Sequence, residues 1–255
     1  MAHRPAFRLV PAAEGVHLVR GPAVNWTLIA EGGALTLVDG GYPAYADTVE
    51  ESIRALGRRP GDVAGVLITH GHVDHIGSLA RFAERHGVPV FAGAAEVPHV
   101  RREFLQQATP GTVLRNAWRP RVPPWALHLV AAGALRDCRV AGVRPLPTEG
   151  PLDLPGRPVP VPTPGHTTGH LCYHLPERGA LVTGDALVTG HPLTGFTGPQ
   201  ILPSMFHHDR AAALAALEAL ATTTAEVLLP GHGPLWRGGP ADAVARAREA
   251  AARVW

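Results

Sequence analysis

Lysine is absent from this chain: all 23 basic residues are arginine, Asn and Ile are scarce, and Ala, Gly and Pro are abundant. That pattern reads as a coding bias rather than as selection for guanidinium chemistry. The net charge of +2 is too small to argue for a nucleic-acid partner. Cysteine is nearly missing too. Cys138 and Cys172 stand far apart, without C-x-x-C spacing, and read as reduced packing residues suited to a cytoplasmic setting. No uninterrupted apolar stretch approaches the roughly eighteen residues a membrane span needs. Residues 1–10 carry His3, Arg4 and Arg8 and no apolar run, which does not fit a secretory signal. Neither repeats nor a low-complexity linker divides the 255 residues, so a single domain over 1–255 is expected.

Histidine, by contrast, is clustered. The stretch Thr69-His70-Gly71-His72-Val73-Asp74-His75-Ile76-Gly77 sets four potential metal ligands within six residues, directly after Val66-Leu67-Ile68. That apolar run has the length and β-branched content of a buried strand. Ile76, Leu79, Ala80 and Ala83 follow at helical spacing, closed by Gly87. The ligands therefore sit on a strand-to-helix turn at a strand's carboxyl end, where open α/β sheets gather their ligands. His70 and His72 can point the same way, while Asp74 and His75 fall on the other side of the bend, as two adjacent metals would require. A His-rich surface loop could look similar in isolation. Three further strand-like runs nevertheless end in a ligand-bearing turn: 159–163 before Pro164-Gly165-His166, 180–182 before Thr183-Gly184-Asp185, and 227–229 before Pro230-Gly231-His232. Imidazole and carboxylate donors suit hard and borderline divalent cations.

The ordered set HxHxDH, PGHTTGH, TGDAL and PGHGP resembles the metallo-β-lactamase superfamily. The resemblance runs from His70 to His232. It implies a four-layer αββα sandwich, two mixed β-sheets flanked by helices. It also implies two divalent cations, zinc first with iron or manganese as alternatives. One would be held by His70, His72 and His166, the other by Asp74, His75 and His232, with Asp185 bridging both.

Element by element, strands are predicted at 16–20, 24–30, 34–38, 62–69, 88–92, 152–154, 159–163, 171–175, 180–182 and 226–229. Helices are predicted at 43–56, 76–86, from about 94, and over 125–135, 207–220 and 240–255. Asp39 reads equally as a partner for a ligand imidazole or as an ordinary Asp-Gly turn. His170 matches a position of structural use in the family. The segment 98–145 differs in character: eight arginines against Glu103 and Asp137 give it +6, leaving −4 for the rest of a chain of net +2. In the family such a segment tends to form a lid beside the metals. A cationic, aromatic lid would favour an anionic or partly apolar small molecule; alternatively, the arginines merely solvate an insertion anchored by its tryptophans. Trp118, Arg119, Arg121, His191 and Phe196 are the candidate substrate contacts.

The chemistry expected of such a site is hydrolysis. Two cations about 3.5 to 4 Å apart share a water and make hydroxide available near neutral pH. This bridging hydroxide would attack the carbonyl of a thioester, ester or lactone, with Asp74 orienting it and helping to move a proton. Departures from particular branches narrow the field. Asp185 stands where antibiotic-hydrolysing members commonly carry Cys or Ser, and Val188-Thr189-Gly190-His191-Pro192 replaces the segment that accompanies glutathione recognition. Two alternatives remain open: a mononuclear non-haem iron enzyme resembling the persulfide dioxygenases, using His70, His72 and Asp185, and a metal-stabilised binding protein without turnover. No feature of the sequence speaks to oligomeric state.

Overall fold

A computed structural model describes residues 7–147 and 149–255. Residues 1–6, part of the stretch read above as unlike a secretory signal, lie outside the described residues, as does residue 148. Thirteen strands and eight α-helices follow one another among the described residues. β1 (Arg8–Ala13), β2 (Val16–Arg20), β3 (Asn25–Glu31) and β4 (Ala34–Val38) form an antiparallel meander. α1 (Ala46–Ala55) then leads to β5 (Val63–Leu67), the short α2 (Val73–Ile76), α3 (Leu79–His86), β6 (Val90–Gly93) and α4 (Val97–Val100). α5 (Pro110–Arg115) and α6 (Val122–Ala131) precede β7 (Arg144–Leu146). β4 to β7 pair in parallel, so the first sheet runs β1 to β7 in sequence order.

β8 (Val159–Pro162), β9 (Leu171–Leu175) and β10 (Ala180–Gly184) belong to a second sheet. It is completed after the hairpin β11 (Val188–Gly190) and β12 (Thr197–Gln200), and after α7 (Arg210–Ala221), by β13 (Val227–Pro230). β13 lies parallel to β10, and α8 (Pro240–Ala251) closes the chain.

Period-two alternation explains the layers, because successive strand residues face opposite sides. On β3 and β4, Trp26, Leu28, Leu35 and Leu37 face α1 and α3, meeting Val49, Ile53, Leu79 and Phe82. Ile29, Val38 and Leu67 face the other way and meet Leu171, Tyr173, Leu175, Val182 and Leu229 of the second sheet. On that sheet's outer side Cys172, Leu181 and Leu228 pack on Leu217, Leu220, Val244 and Ala247 of α7 and α8. Helices, sheet, sheet, helices: the αββα sandwich is the observed fold.

Some expectations are corrected. Residues 152–154 form no strand; between Pro151 and Pro155-Gly156 the backbone turns back, with Leu152 donating to Pro158 and Arg157 to Leu154. β1 and β7 were not anticipated, and β7 makes the end of the 98–145 segment part of the first sheet. The helix expected over 76–86 is broken at Gly77-Ser78 into α2 and α3. The loop expected over 190–203 contains β12, paired with β11. Both cysteines are buried and free. Among the described residues no helix is long and apolar enough to cross a membrane.

Candidate metal centre

Every ligand-type residue sits just past the carboxyl end of a strand. His70 and His72 follow β5, with Asp74 and His75 in the single turn of α2; His166 follows β8, Asp185 follows β10, and His232 follows β13. Asp185 belongs to a group with His70, His72 and His166, and Asp74, His75 and His232 form a second group; within each, the donor atoms lie within 4.8 Å of one another. Two glycines make this approach possible. A Cβ on Gly71 would stand 2.8 Å from the His99 ring, and one on Gly231 would collide with Asp185 and stand 2.7 Å from His75.

Hydrogen bonds at the back of the rings decide which nitrogens face inward. His72 Nε2 lies 2.7 Å from the Gln106 carbonyl, so it carries the proton and leaves Nδ1 as a lone pair. The Thr69 hydroxyl donates to Asp39 Oδ2 and therefore accepts from His70 Nδ1, freeing His70 Nε2. His166 Nε2 stands 3.2 Å from that nitrogen and 3.1 Å from His72 Nδ1. Three imidazole nitrogens thus converge where one proton could serve only one pair, and a cation satisfies all three. Burial holds His70 and His166 well below the usual histidine range and pushes His72 down to about 4, so the rings are neutral ligands at neutral pH.

The second group is arranged the same way. His75 Nδ1 donates to Asp39 Oδ2 at 2.8 Å and His232 Nδ1 to the Ala23 carbonyl at 2.8 Å. Their Nε2 atoms lie 3.4 Å from Asp185 Oδ1 and Oδ2 respectively. Asp185 Oδ2 is also 3.6 Å from His166 Nε2 and 3.8 Å from His70 Nε2, so one carboxylate stands between both groups. Burial opposes charge on His75 and His232, but Asp185 and its neighbouring carboxylates outweigh it, raising His75 well above its ordinary value and His232 to about 10. Against burial, those imidazoles hold Asp74 at about 2 and Asp185 well below the carboxylate range. His75 Nε2 and Asp185 Oδ1 are buried with no hydrogen-bond partner. Residues with this donor chemistry and these open inward atoms fit divalent cations, and protons occupy the second group when cations do not.

Behind the ligands lies a buried polar frame that the motifs alone did not reveal. Glu96 accepts four hydrogen bonds: from Gly71 N–H and His99 Nδ1 on one oxygen, and from the Thr167 hydroxyl and Gly169 N–H on the other, all between 2.7 and 2.9 Å. One carboxylate thereby ties the HxH turn to the turn carrying His166. His99 Nε2 in turn accepts from Gln106 N–H at 3.3 Å, and the Gln106 carbonyl is the acceptor that sets the His72 ring. The Gln106 side chain also grips Thr168 through two bonds. His170 accepts from the Asp185 backbone N–H and donates to Thr163. Asp39 is the His75 partner, and Tyr173 joins the sheets by donating to the Ile68 carbonyl. The signal in the sequence was weak: a Glu and a His three apart on a short helix.

Above the two groups is a cavity of about 420 Å³. Asp74, Asp185, His72 and His232 form one end; α5, α6, Tyr42, Leu202 and Phe206 form the walls. Of the candidate substrate contacts, His191 lines it. Burial pushes that ring down to about 3, and Leu193 N–H donates to its Nδ1, leaving the proton on Nε2. Trp118, Arg119, Arg121 and Phe196 are not part of the lining. Trp118 is 74% exposed, Arg119 stacks over the Trp118 and Trp255 rings at 4.6 and 3.8 Å, and Arg121 lies against Gly195. None of the eight arginines of 98–145 lines the cavity, which favours the alternative in which they solvate the segment. Arg102, for instance, is engaged from outside with the Gly71 carbonyl and Cys138.

A sequence profile described as the metallo-beta-lactamase superfamily matches residues 19–232. The chain belongs to this superfamily. Probable metallo-hydrolase YflN of Bacillus subtilis (strain 168) is 28% identical over 239 residues, 87% of this chain and 85% of that protein. A hydroxyacylglutathione hydrolase of Rhizobium meliloti (strain 1021) is 30% identical over 150 residues, 58% of this chain but 43% of that enzyme, so less than half of its length is spanned. Among solved structures, a metallo-beta-lactamase family protein from Thermus thermophilus superposes with a TM-score of 0.64 at 26% identity, covering 98% of this chain and 78% of that one. The Rm3 metallo-beta-lactamase reaches 0.68 at 20% identity, over 97% and 91%, a likeness of fold alone.

Proposed function

We propose that this member of the superfamily is a dinuclear metal-dependent hydrolase, most simply a zinc enzyme, that cleaves a thioester, ester or lactone. One observation carries the reading: seven donor side chains converge at one end of a cavity, with the Asp185 carboxylate between two groups of them. His70, His72 and His166 would hold one cation and Asp74, His75 and His232 the other, with Asp185 shared. When bound, such cations lower the pKa of water and polarise a carbonyl oxygen.

The chain's own groups supply the rest. Asp74 is 16% exposed on its side chain and reaches the cavity, so it can accept a hydrogen bond from the attacking water and aim it. A carboxylate is a weak base, and orientation is its larger contribution. His191, with its proton on Nε2, offers a neutral donor to the substrate. Segment 98–145 acts as a lid whose apolar helices keep bulk water from the reacting carbonyl. Similarity to YflN, a probable metallo-hydrolase, and to a hydroxyacylglutathione hydrolase supports hydrolysis.

The test is elemental analysis of purified protein combined with a panel of model thioesters, esters and lactones before and after chelation. The reading expects about two metals per chain, mainly zinc, and turnover that chelation abolishes and zinc restores. One iron per chain with oxygen consumption on a persulfide, or no metal-dependent turnover on any substrate, refutes it.

A further inference from the structure

The cavity is chemically two-ended. Its carboxylate lining residues, Asp74 and Asp185, sit together with His72 and His232 at the metal end. Away from them the walls are aliphatic and aromatic: Val113 and Leu114 from α5, Trp125, Ala126 and Leu129 from α6, and Phe206 opposite. No Arg among the described residues reaches this surface to receive a charged group. A volume of about 420 Å³ falls within the range of small-ligand pockets. The aliphatic surface does not stop at the cavity. Leu114, Val130 and Leu135 line it and are still 76, 56 and 73% exposed, so its mouth is an apolar rim open to solvent. All the exposed large hydrophobic residues described fall between Phe104 and Leu135. An apolar patch of this kind on a soluble surface marks a contact with something apolar, and here the patch is continuous with the cavity.

We infer that the substrate's acyl group is an uncharged aliphatic chain. It lies between α5 and α6 with its carbonyl at the metal end, and longer chains emerge over Leu114 and Leu135. The inference rests on the hydrolase reading for the reaction but on the cavity alone for the chain. The reaction balances as simple hydrolysis. A water oxygen bonds to the acyl carbon, the bond from that carbon to the leaving oxygen or sulfur breaks, and the leaving group takes up the proton the water gives up. The aliphatic acid then departs through the rim. An acyl group with a charged end would be placed in an aliphatic channel with no counter-charge, where burial costs far more than the chain contacts return.

Two series test this. On the metal-loaded protein, kcat/KM for p-nitrophenyl esters from acetate to decanoate should rise about two- to fourfold per methylene until the cavity is filled, as expected for burying each CH₂. The succinyl ester should be much poorer than the butyryl ester of equal length. Independently of turnover, neutral 1-alkanols from butanol to octanol should bind the metal-free protein, followed by calorimetry, with a similar increment per methylene. Ala126→Trp, which fills the cavity from the α6 side, should shift both series towards shorter chains. Affinity and kcat/KM that ignore chain length, or preference for the succinyl ester, overturn the acyl pocket while leaving a hydrolase. Alkanols that bind with the expected increment when neither these esters nor the thioesters and lactones of the panel are cleaved leave the pocket standing and overturn the hydrolase.

Discussion

The two ends of the cavity are built by opposite means. At the metal end four of the ligand rings are fixed from behind: Thr69 behind His70, Gln106 behind His72, Asp39 behind His75 and Ala23 behind His232, while the Asp185 backbone donates to His170. These are directional bonds among buried groups, and they constrain the ring orientations. At the other end hydrogen bonds are few. Ala44 N–H meets the Ala132 carbonyl and Tyr45 meets His128, while α5 and α6 meet the cavity with aliphatic and aromatic surface and turn more of it to solvent. A polar floor held by directional bonds under an apolar roof suits the proposed hydrolase, which would hold charge in one geometry yet admit substrates of varied length. Contacts that are non-directional tolerate such variation, whereas ligand nitrogens displaced by an ångström do not.

Breaking the floor should have the largest effect. Asp185→Asn keeps the shape but removes the charge shared by both groups, so at least one metal should be lost. Activity should fall by more than about a hundredfold, the most that loss of an outer partner alone usually costs. The three apolar cores contain none of the ligands, so circular dichroism should remain native. Two tightly bound metals with full turnover would remove Asp185 from its shared position.

Glu96→Gln attacks the frame one layer out. An amide cannot accept the four bonds that Glu96 now accepts, and its NH₂ would face donors. We expect about 1–3 kcal/mol of lost stability in urea titration and metal affinity about 10–100-fold weaker in chelator competition. The pH dependence has a definite sign. Although burial opposes charge on Glu96, the His99 bond and the other donors hold its pKa below the ordinary 4.5. Its contribution is therefore present above about that value and is lost as pH falls through the lowered one. The variant should show a shallower loss of stability below pH 4.5 than the parent; curves of equal slope would mean that Glu96 is not the group responsible.

The smallest effect belongs to the outer surface of the roof. Replacing Arg119 and Arg121 together by Gln removes the guanidinium stacked between Trp118 and Trp255, worth about 0.5–1 kcal/mol. Because neither residue lines the cavity, KM should change alike for anionic and neutral substrates. A rise confined to anionic substrates would bring these arginines back to the substrate path.

The floor was legible in the sequence because its instructions are local. A short apolar run followed by Thr69-His70-Gly71-His72, or by Pro230-Gly231-His232, encodes a strand and the turn at its end, and the ligand travels with the turn. The frame was less legible: Glu96, His99 and Gln106 act on His72 only because β6 and α4 fold back beside β5, a long-range fact. The roof could not be read at all in one respect. α6 carries Val122, Trp125, Leu127, Leu129 and Val130 on nearly every side, so no periodicity says which face turns inward. Only packing placed Trp125 and Leu129 over the cavity, left Leu127 73% exposed, and turned the arginines away. Ligand identity follows from the chain's order, whereas the polarity of the pocket depends on the rotation of two helices, which non-directional contacts set only when the whole molecule has folded.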